Sequence, residues 1–252
     1  MATIHVFRHA ESMHNVDLAQ RSRRDPGLSP KGLEQCQSFA QVFPLAVTHV
    51  ISSPMRRAIQ TALASFPGKQ VMLLPQITEA GSRPSGFGSP REALVREFGN
   101  DINVDYLPRI FANLDPDSPF AYEIGKMEAR FAAERQFLAG VAAAAGTGAH
   151  IAVVTHGQSC HFLTDDWSGP KAPDPRADWD GNLACRSYTV DFSTGVWHET
   201  IESLLKRGLS PIPLPGDDAG KDEVKRILAD RIIERTDAVR EVYHRYRLEG
   251  LP

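Results

Sequence analysis

The chain has 252 residues, with 28 lysines and arginines against 31 aspartates and glutamates and a formal net charge of −3. This balance does not indicate binding to nucleic acid or to a membrane surface, because both partners attract basic stretches. No apolar run approaches the about 20 residues that a membrane-spanning helix needs. The length allows a substantial core, and one α/β domain fits it.

The cysteines give information about the compartment. Cys36, Cys160 and Cys185 are an odd and widely spaced set. Their spacing fits neither a disulfide framework nor a C-x-x-C zinc site, and it suits a reducing compartment. Because Met1–Ile4 runs directly into a strand, there is no room for a signal peptide. We therefore expect a cytoplasmic protein.

Short apolar strands alternate with amphipathic helices along most of the chain, which predicts an α/β fold with a mostly parallel sheet. Ser29 is the expected N-cap of the first long helix, with Pro30 at its first position. The predicted elements, in chain order, are strand Thr3–Arg8, helix Pro30–Phe43, strand His49–Ser52, helix Arg56–Ser65, strand Val71–Leu74, helix Tyr122–Ala145, strand Ile151–Thr155 and a hairpin of Arg186–Asp191 with Val196–Glu199.

Two regions interrupt or follow this pattern. Residues 80–120 are rich in glycine, proline and aromatic side chains, which predicts an inserted lid with short helices. Residues 209–220 are predicted to form a proline-rich linker, and Asp222–Arg247 is predicted to form a charged amphipathic helix. We assign residues 1–205 to the main domain and residues 206–252 to the linker and the C-terminal helix.

Two histidines directly follow apolar strands. Arg8 and His9 come after the run Ile4–Phe7, and His156 comes after Ile151–Thr155. Ligands of open α/β sheets collect at the carboxyl ends of the strands. A histidine there can attack phosphorus, and a neighbouring arginine can bind phosphate oxygens. Taken alone, the first pair could also be an ordinary strand end, so the other parts of a phosphoryl-transfer site decide between these interpretations.

Those parts follow in order. The motifs are R-H-A-E-S at Arg8–Ser12, S-P-M-R-R-A-I-Q-T at Ser53–Thr61, the strand-following Glu79, and V-T-H-G at Val154–Gly157. They resemble R-H-G-E-S, S-P-x-x-R-A-x-Q-T, an L-x-E-type position and V-S/T-H-G of the histidine phosphatase superfamily, which includes the cofactor-dependent phosphoglycerate mutases. The resemblance extends over residues 4 to 158 and is weak after Asp165.

The resemblance implies a three-layer α/β/α sandwich and a phosphohistidine mechanism. It makes His9 the nucleophile and Glu79 the general acid. It also makes Arg8, Arg57 and a protonated or hydrogen-bonded His156 the groups that neutralise the phosphate. His9 must be neutral on its attacking nitrogen, so its other nitrogen needs an acceptor, for which we expect a backbone carbonyl. Glu79 must hold a proton near neutral pH to protonate a poor leaving group.

Further residues are expected around the phosphate. The resemblance makes Asn15 and Gln158 hydrogen-bonding partners of its oxygens, and the backbone after Gly157 supplies N–H donors at a helix start. No metal and no cofactor are expected, because side chains and backbone supply all the positive charge. His14 is either solvated or at the rim of the pocket. The basic loop at residues 21–24 is either solvated or close enough to meet a second anionic group of the substrate.

Two departures from the family pattern bear on the reaction. Ala10 replaces the commoner glycine but keeps a small side chain near the phosphate. Ala80–Gly88 resembles the loop of a phosphatase-like branch and not that of the glycolytic mutases. We therefore expect hydrolysis of a small phosphate or diphosphate ester with a partly apolar body. Mutase-type phosphoryl transfer and a catalytically idle phospho-ligand-binding module remain the alternatives.

Overall fold

The fold is seen in a computed structural model that describes residues 1–79, 83–108, 111, 118–167, 179 and 181–209. Its strands are β1 (Thr3–Arg8), β2 (His49–Ser52), β3 (Val71–Leu73), β4 (Ile102–Asn103), β5 (His150–Thr155), β6 (Cys185–Val190) and β7 (Trp197–Glu199). They form a seven-stranded sheet of order β4-β3-β2-β5-β1-β6-β7. The five strands from β4 to β1 are parallel, and β6 and β7 are antiparallel to their neighbours, so the predicted mostly parallel sheet is confirmed.

Helices cover both faces of the sheet. The α-helices are α1 (Met13–Val16), α2 (Pro30–Val42), α3 (Arg56–Ser65), α4 (Arg91–Phe98), α5 (Ile124–Ala145), α6 (Gly157–Thr164) and α7 (Ile201–Lys206). Short 3₁₀ helices lie at Leu18–Ser22, Pro75–Ile77, Pro84–Gly86 and Gly99–Asp101. One hydrophobic cluster joins the sheet to α2, α3 and α4, and a second joins it to α5 and α6. The expected three-layer arrangement is therefore present.

The alternation of side chains along β1 explains why the sheet has two buried faces. Ile4 and Val6 belong to the cluster under α5 and α6, whereas Phe7 belongs to the cluster under α2 and α3. Phe7 meets the rings of Phe39 and Phe66 edge to face. A strand that is buried on both sides needs this nearly continuous apolar sequence.

Several elements differ from the sequence prediction. β4 lies inside the predicted lid and pairs with β3 at the edge of the sheet, so part of that region belongs to the sheet. This strand has only two residues and leaves little periodic signal. α7 was not predicted either, and β3 ends at Leu73. The predicted linker after residue 209 and the predicted C-terminal helix lie outside the residues that the structure describes.

The central strands bring the sequence motifs together. β1 and β5 are adjacent and parallel, and Arg8 is in register with Thr155. The residues that follow, His9 and His156, therefore lie side by side at the carboxyl edge. β2 ends at the same edge, where Ser53 N–H donates to the Val154 carbonyl at 2.9 Å. Among the described residues, no helix is long and apolar enough to cross a membrane.

The start of α2 is packed directly against the chain that follows His9. The Ser29 hydroxyl accepts from Gly32 N–H at 3.0 Å and donates to a carboxylate oxygen of Glu11 at 2.7 Å. A Cβ at position 32 would lie 1.9 Å from the Glu11 carbonyl oxygen. Only glycine allows this approach of helix to backbone.

We predict that Gly32→Ala lowers the free energy of unfolding by about 2 kcal/mol or more, as overpacking does. Gly140→Ala is the matched control, because Gly140 is also helical and a Cβ there would meet nothing within 4 Å. The control should gain up to about 1 kcal/mol from helix propensity. Urea unfolding of both variants measures the difference, and equal stabilities would contradict the packing described here.

Candidate active site

His9 and His156 form the centre of the site. His9 N–H donates to the Thr155 carbonyl at 2.9 Å, which continues the pairing of β1 with β5 beyond the strands. The two imidazole rings lie with their centroids 5.2 Å apart. Both side chains are buried. The predicted pair of histidines is therefore assembled by the parallel register alone.

His9 is held with one ring nitrogen towards the site. Its Nδ1 lies 2.7 Å from the Ala10 carbonyl oxygen, to which it donates, so the predicted backbone acceptor is present. This contact places the ring proton on Nδ1 and leaves the lone pair on Nε2. Burial, with the Arg57 and Arg8 cations, lowers the pKa of His9 well below its usual value. The imidazole is neutral and can act as a nucleophile.

Arg57, in the first turn of α3, contacts the other groups of the site through each of its nitrogens. Nε donates to His9 Nε2 at 3.3 Å, and Nη1 donates to the Ser85 carbonyl at 2.9 Å. Nη2 lies 3.4 Å from a Glu79 carboxylate oxygen. Burial lowers the pKa of Arg57, and the Glu79 and Asp25 carboxylates oppose that effect. The guanidinium is thus a buried cation that phosphate oxygens could share.

Asp25 fixes the segments around Arg57. Its carboxylate accepts from the backbone N–H of Arg56 at 3.0 Å and from that of Ser89 at 2.9 Å. It also lies 4.0 Å from Arg57 Nη1. Asp25 is fully buried, and burial raises its pKa. One carboxylate therefore joins the N-terminus of α3 to the chain that follows the 3₁₀ helix Pro84–Gly86. Arg56 itself pairs at the surface with Glu97 at 2.8 Å.

Glu79 lies between two of the expected phosphate-binding groups. One of its oxygens is 3.4 Å from Arg57 Nη2 and 3.5 Å from His156 Nδ1. The Ser53 hydroxyl contacts the other ring nitrogen of His156, Nε2, at 2.8 Å. If Ser53 donates to Nε2, the His156 proton is on Nδ1 and faces Glu79. Burial, with the nearby Arg57 cation, lowers the pKa of His156 well below its usual value.

Arg8 reaches the site from the end of β1. Its Nη1 donates to the Trp179 carbonyl at 2.6 Å, and its side chain passes within 3.5 Å of where a Cβ on Gly157 would be. The Trp179 indole is fully buried and carries the guanidinium of Arg186 over its ring at 4.2 Å. Arg186 is in turn bound to Asp166 at 2.5 Å.

Asn15, Gly157 and Gln158 are the three further residues that the sequence placed near the phosphate. Asn15 is exposed, and its Oδ1 accepts from Ser12 N–H at 3.0 Å, so its amide is used to cap α1. Gly157 opens α6, with His156 as the N-cap. The Gln158 Nε2 is buried and has no hydrogen-bond partner among the described residues.

The site contains side chains of the types that bind metal ions. His9, Glu79 and His156 offer donor atoms that all lie within 4.8 Å of one another. However, the Arg57 guanidinium lies 3.3 Å from His9 Nε2 and 3.4 Å from Glu79, so a fixed positive charge already occupies this environment. The same arrangement suits an anion better than a cation.

Some contacts of the site carried no sequence signal of their own. The carbonyls of Ala10, Ser85 and Trp179 bind catalytic candidates, but any residue type has a carbonyl. His14 lies with its ring 5.8 Å from that of His9, so it belongs to the rim of the site and not to free solvent. Arg130 is buried on the apolar face of α5, where a charged residue among apolar positions could have been noticed.

Comparisons with known proteins agree with this geometry. The family model for the histidine phosphatase superfamily (branch 1) matches residues 4–200. No curated protein matches the chain in sequence. Among solved structures, ecdysone phosphate phosphatase from Bombix mori, in complex with tungstate, is 14% identical with a TM-score of 0.55, over 79% of this chain and 92% of that one.

Two further structures are similar at lower TM-scores. A mycobacterial glucosyl-3-phosphoglycerate phosphatase is 21% identical with a TM-score of 0.48, over 78% of this chain and 96% of that one. Phosphoserine phosphatase from Entamoeba histolytica is 20% identical with a TM-score of 0.48, over 79% and 95% of the two chains. At 14% identity, the similarity to the ecdysone phosphate phosphatase structure shows the fold alone. The family model, which spans most of the chain, shows that this protein belongs to branch 1 of the histidine phosphatase superfamily.

Proposed function

We propose that the protein is a phosphatase that hydrolyses a small phosphorylated molecule through a phosphohistidine on His9. The observation that carries this proposal is the state of His9. Its ring is neutral, its Nδ1 is bound to the Ala10 carbonyl, and its Nε2 faces Arg57. Binding a phosphate does not require a neutral, oriented nucleophile beside the cation.

In the first step, His9 Nε2 forms a bond to phosphorus while the bond from phosphorus to the ester oxygen breaks. Glu79 gives its proton to that oxygen, and the alcohol leaves. In the second step, Glu79 takes a proton from a water molecule that attacks phosphorus, and the nitrogen–phosphorus bond breaks. Phosphate is released, His9 is neutral again, and Glu79 again carries its proton.

Arg8 and Arg57 neutralise the phosphoryl group in both steps. A phosphate monoester carries close to two negative charges at neutral pH, which two guanidinium groups match. His156 Nδ1 and the N–H groups at the start of α6 add donors. The incoming phosphate competes with Glu79 for Arg57 Nη2.

We propose a substrate with a partly apolar body. Phe87 is buried in the lid segment, and the Phe111 ring and Met55 sulfur lie close to Gly88, within 3.3 Å of where its Cβ would be. These side chains belong to the region that meets Arg57 through Ser85. All the proposed catalytic groups lie between residues 8 and 156, so we propose residues 1–205 as the catalytic domain.

The nucleophile is tested first. We predict that His9→Ala reduces turnover of a generic aryl phosphate at least about a thousandfold, because the residue that forms the covalent bond is lost. His49→Ala is the control, since His49 is an exposed histidine at the opposite end of a strand. Phosphate release measures both. Near-wild-type activity of His9→Ala would rule out the phosphohistidine mechanism. Transfer of the phosphoryl group between two positions of a metabolite, without net phosphate release, would favour the mutase alternative.

A second prediction concerns Glu79, the proposed general acid. Glu79→Gln should lower the rate on alkyl phosphates by about 10²–10⁴-fold, the usual contribution of a general acid. The loss on aryl phosphates should be much smaller, because a good leaving group needs little protonation. Glu34→Gln, at an exposed position of α2, should leave both rates as they are. Equal losses on the two ester types would assign Glu79 a structural role.

A third prediction concerns metal ions. Side chains and backbone supply all the positive charge in the proposed mechanism, so activity should survive dialysis against EDTA. Vanadate and tungstate, which resemble phosphate in charge and shape, should inhibit by occupying the position between Arg8 and Arg57. Loss of activity in EDTA, recovered on adding Mg²⁺ or Zn²⁺, would instead point to a metal held by His9, Glu79 and His156.

A further inference from the structure

Arg8 and Arg186 rise from neighbouring strands on the same face of the sheet. Val6 on β1 is in register with Arg186 on β6, and Val6 belongs to the hydrophobic cluster under α5 and α6. Side chains alternate along a strand, and residues in register share a face, so Arg8 points to the same face as Val6 and Arg186. Arg186 is buried there, with 2% of its surface exposed.

Trp179 contacts both of these arginines. Its carbonyl accepts from Arg8 Nη1 at 2.6 Å, and its indole ring lies 4.2 Å from the Arg186 guanidinium, which is placed over the ring. The indole is fully buried and belongs to the same hydrophobic cluster as Val6. Trp179 therefore holds Arg8 through its backbone, while Arg186 holds Trp179 through its ring.

The two arginines differ in the kind of group that they contact. Arg186 Nη1 lies 2.5 Å from a carboxylate oxygen of Asp166, so this buried cation is paired with an anion. The contact between Arg8 and Trp179 instead involves a carbonyl, which has no net charge. That contact orients the Arg8 guanidinium without cancelling the positive charge that binds an oxyanion.

The side chain of Trp179 anchors the carbonyl that Arg8 requires. The His161 ring meets the indole edge to face, with centroids 6.4 Å apart, and Arg186 covers the indole ring. The indole N–H is buried and has no hydrogen-bond partner in the part of the chain that the structure describes. The anchor therefore consists of ring contacts. A cation over a desolvated aromatic ring is strongly attracted to it, and a planar guanidinium also stacks on the ring.

We propose that Trp179 and Arg186 are positioning residues for Arg8. They do not touch the phosphate. They fix the carbonyl that orients the Arg8 guanidinium, so that its N–H donors meet the phosphoryl oxygens in one geometry. This proposal rests on the proposed function, because it assigns to Arg8 the binding of the phosphoryl group.

General loosening of the hydrophobic cluster is the effect from which positioning must be separated. Trp197 provides a matched control, because it is a buried tryptophan of the same cluster. Its indole N–H, like that of Trp179, has no hydrogen-bond partner among the described residues. Replacement of either tryptophan by leucine therefore removes a buried ring and breaks no described hydrogen bond of the side chain. A double-mutant cycle with Arg8→Gln then tests whether the effect passes through Arg8.

The experiment measures tungstate binding to the whole protein by calorimetry, because this tetrahedral oxyanion resembles phosphate and requires no catalytic step. Trp179→Leu should weaken binding about tenfold or more, as loss of a charge-assisted hydrogen bond does. Trp179→Phe keeps an aromatic ring for Arg186 and should restore most of the affinity. Trp197→Leu should stay within about twofold of wild type. In the Arg8→Gln background, where Arg57 still binds the oxyanion, Trp179→Leu should cause no further loss.

A second variant keeps the test decisive if Trp179→Leu does not fold. Arg186→Lys retains a positive charge beside Asp166 but removes the planar group over the indole. It should weaken tungstate binding several-fold in wild-type protein and cause no further loss in the Arg8→Gln background.

The other outcomes separate the positioning role from the proposed function. Unchanged affinity in Trp179→Leu, or equal losses in Trp179→Leu and Trp197→Leu, would overturn the positioning role. A loss that is undiminished in the Arg8→Gln background would overturn it too, because the effect would not pass through Arg8. These results would leave the proposed phosphatase function intact. If wild-type protein binds neither tungstate nor phosphate, the proposed function fails together with the positioning role.

Discussion

The buried guanidinium of Arg57 is the interaction on which the rest of the site depends. A cation withdrawn from water needs acceptors in place of its hydration. Arg57 finds them in His9 Nε2, the Ser85 carbonyl and the Glu79 carboxylate. These three groups come from the end of β1, from the 3₁₀ helix Pro84–Gly86 and from the chain after β3. One side chain therefore contacts His9, Ser85 and Glu79 and fixes their relative positions.

The same charge explains why the histidines are neutral. Burial removes the hydration that would favour an imidazolium ion, and neighbouring arginines repel a second positive charge. The two histidines of the site are therefore uncharged, whereas the arginines carry its positive charge. A strongly basic site can in this way keep its buried imidazole rings unprotonated. His14 follows the same rule at the rim, where its pKa is lowered to about 3.

The sequence predicted the elements whose signals are local and strong. β1, β2 and α3 begin and end where the apolar runs, the Pro54 turn and the helical spacing indicated, and Ser29 caps α2 as expected. The parallel order of these strands then placed His9, Arg57, Glu79 and His156 together, as the motifs implied. The assignment of chemical roles to them remains a prediction.

The elements and contacts that the sequence did not predict leave no clear sequence signal, for physical reasons. β4 is two residues long and is a strand only because β3 offers it a partner. The carbonyls of Ala10, Ser85 and Trp179 orient His9, Arg57 and Arg8 through atoms that every residue has. Asn15, in contrast, had a sequence signal, because it matches the family motif. That match did not reveal that its side-chain amide caps α1.

Direct observation of the covalent intermediate tests the central claim. Wild-type protein is mixed with an aryl phosphate, quenched within the first turnover and digested, and the site and isomer of any phosphohistidine are determined by mass spectrometry and ³¹P NMR. Because Nδ1 is bound to the Ala10 carbonyl, the phosphoryl group should be found on Nε2 of His9, and it should be acid-labile. A phosphoryl group on Nδ1 of His9 or on any other residue, or turnover with no covalent intermediate, would contradict the account.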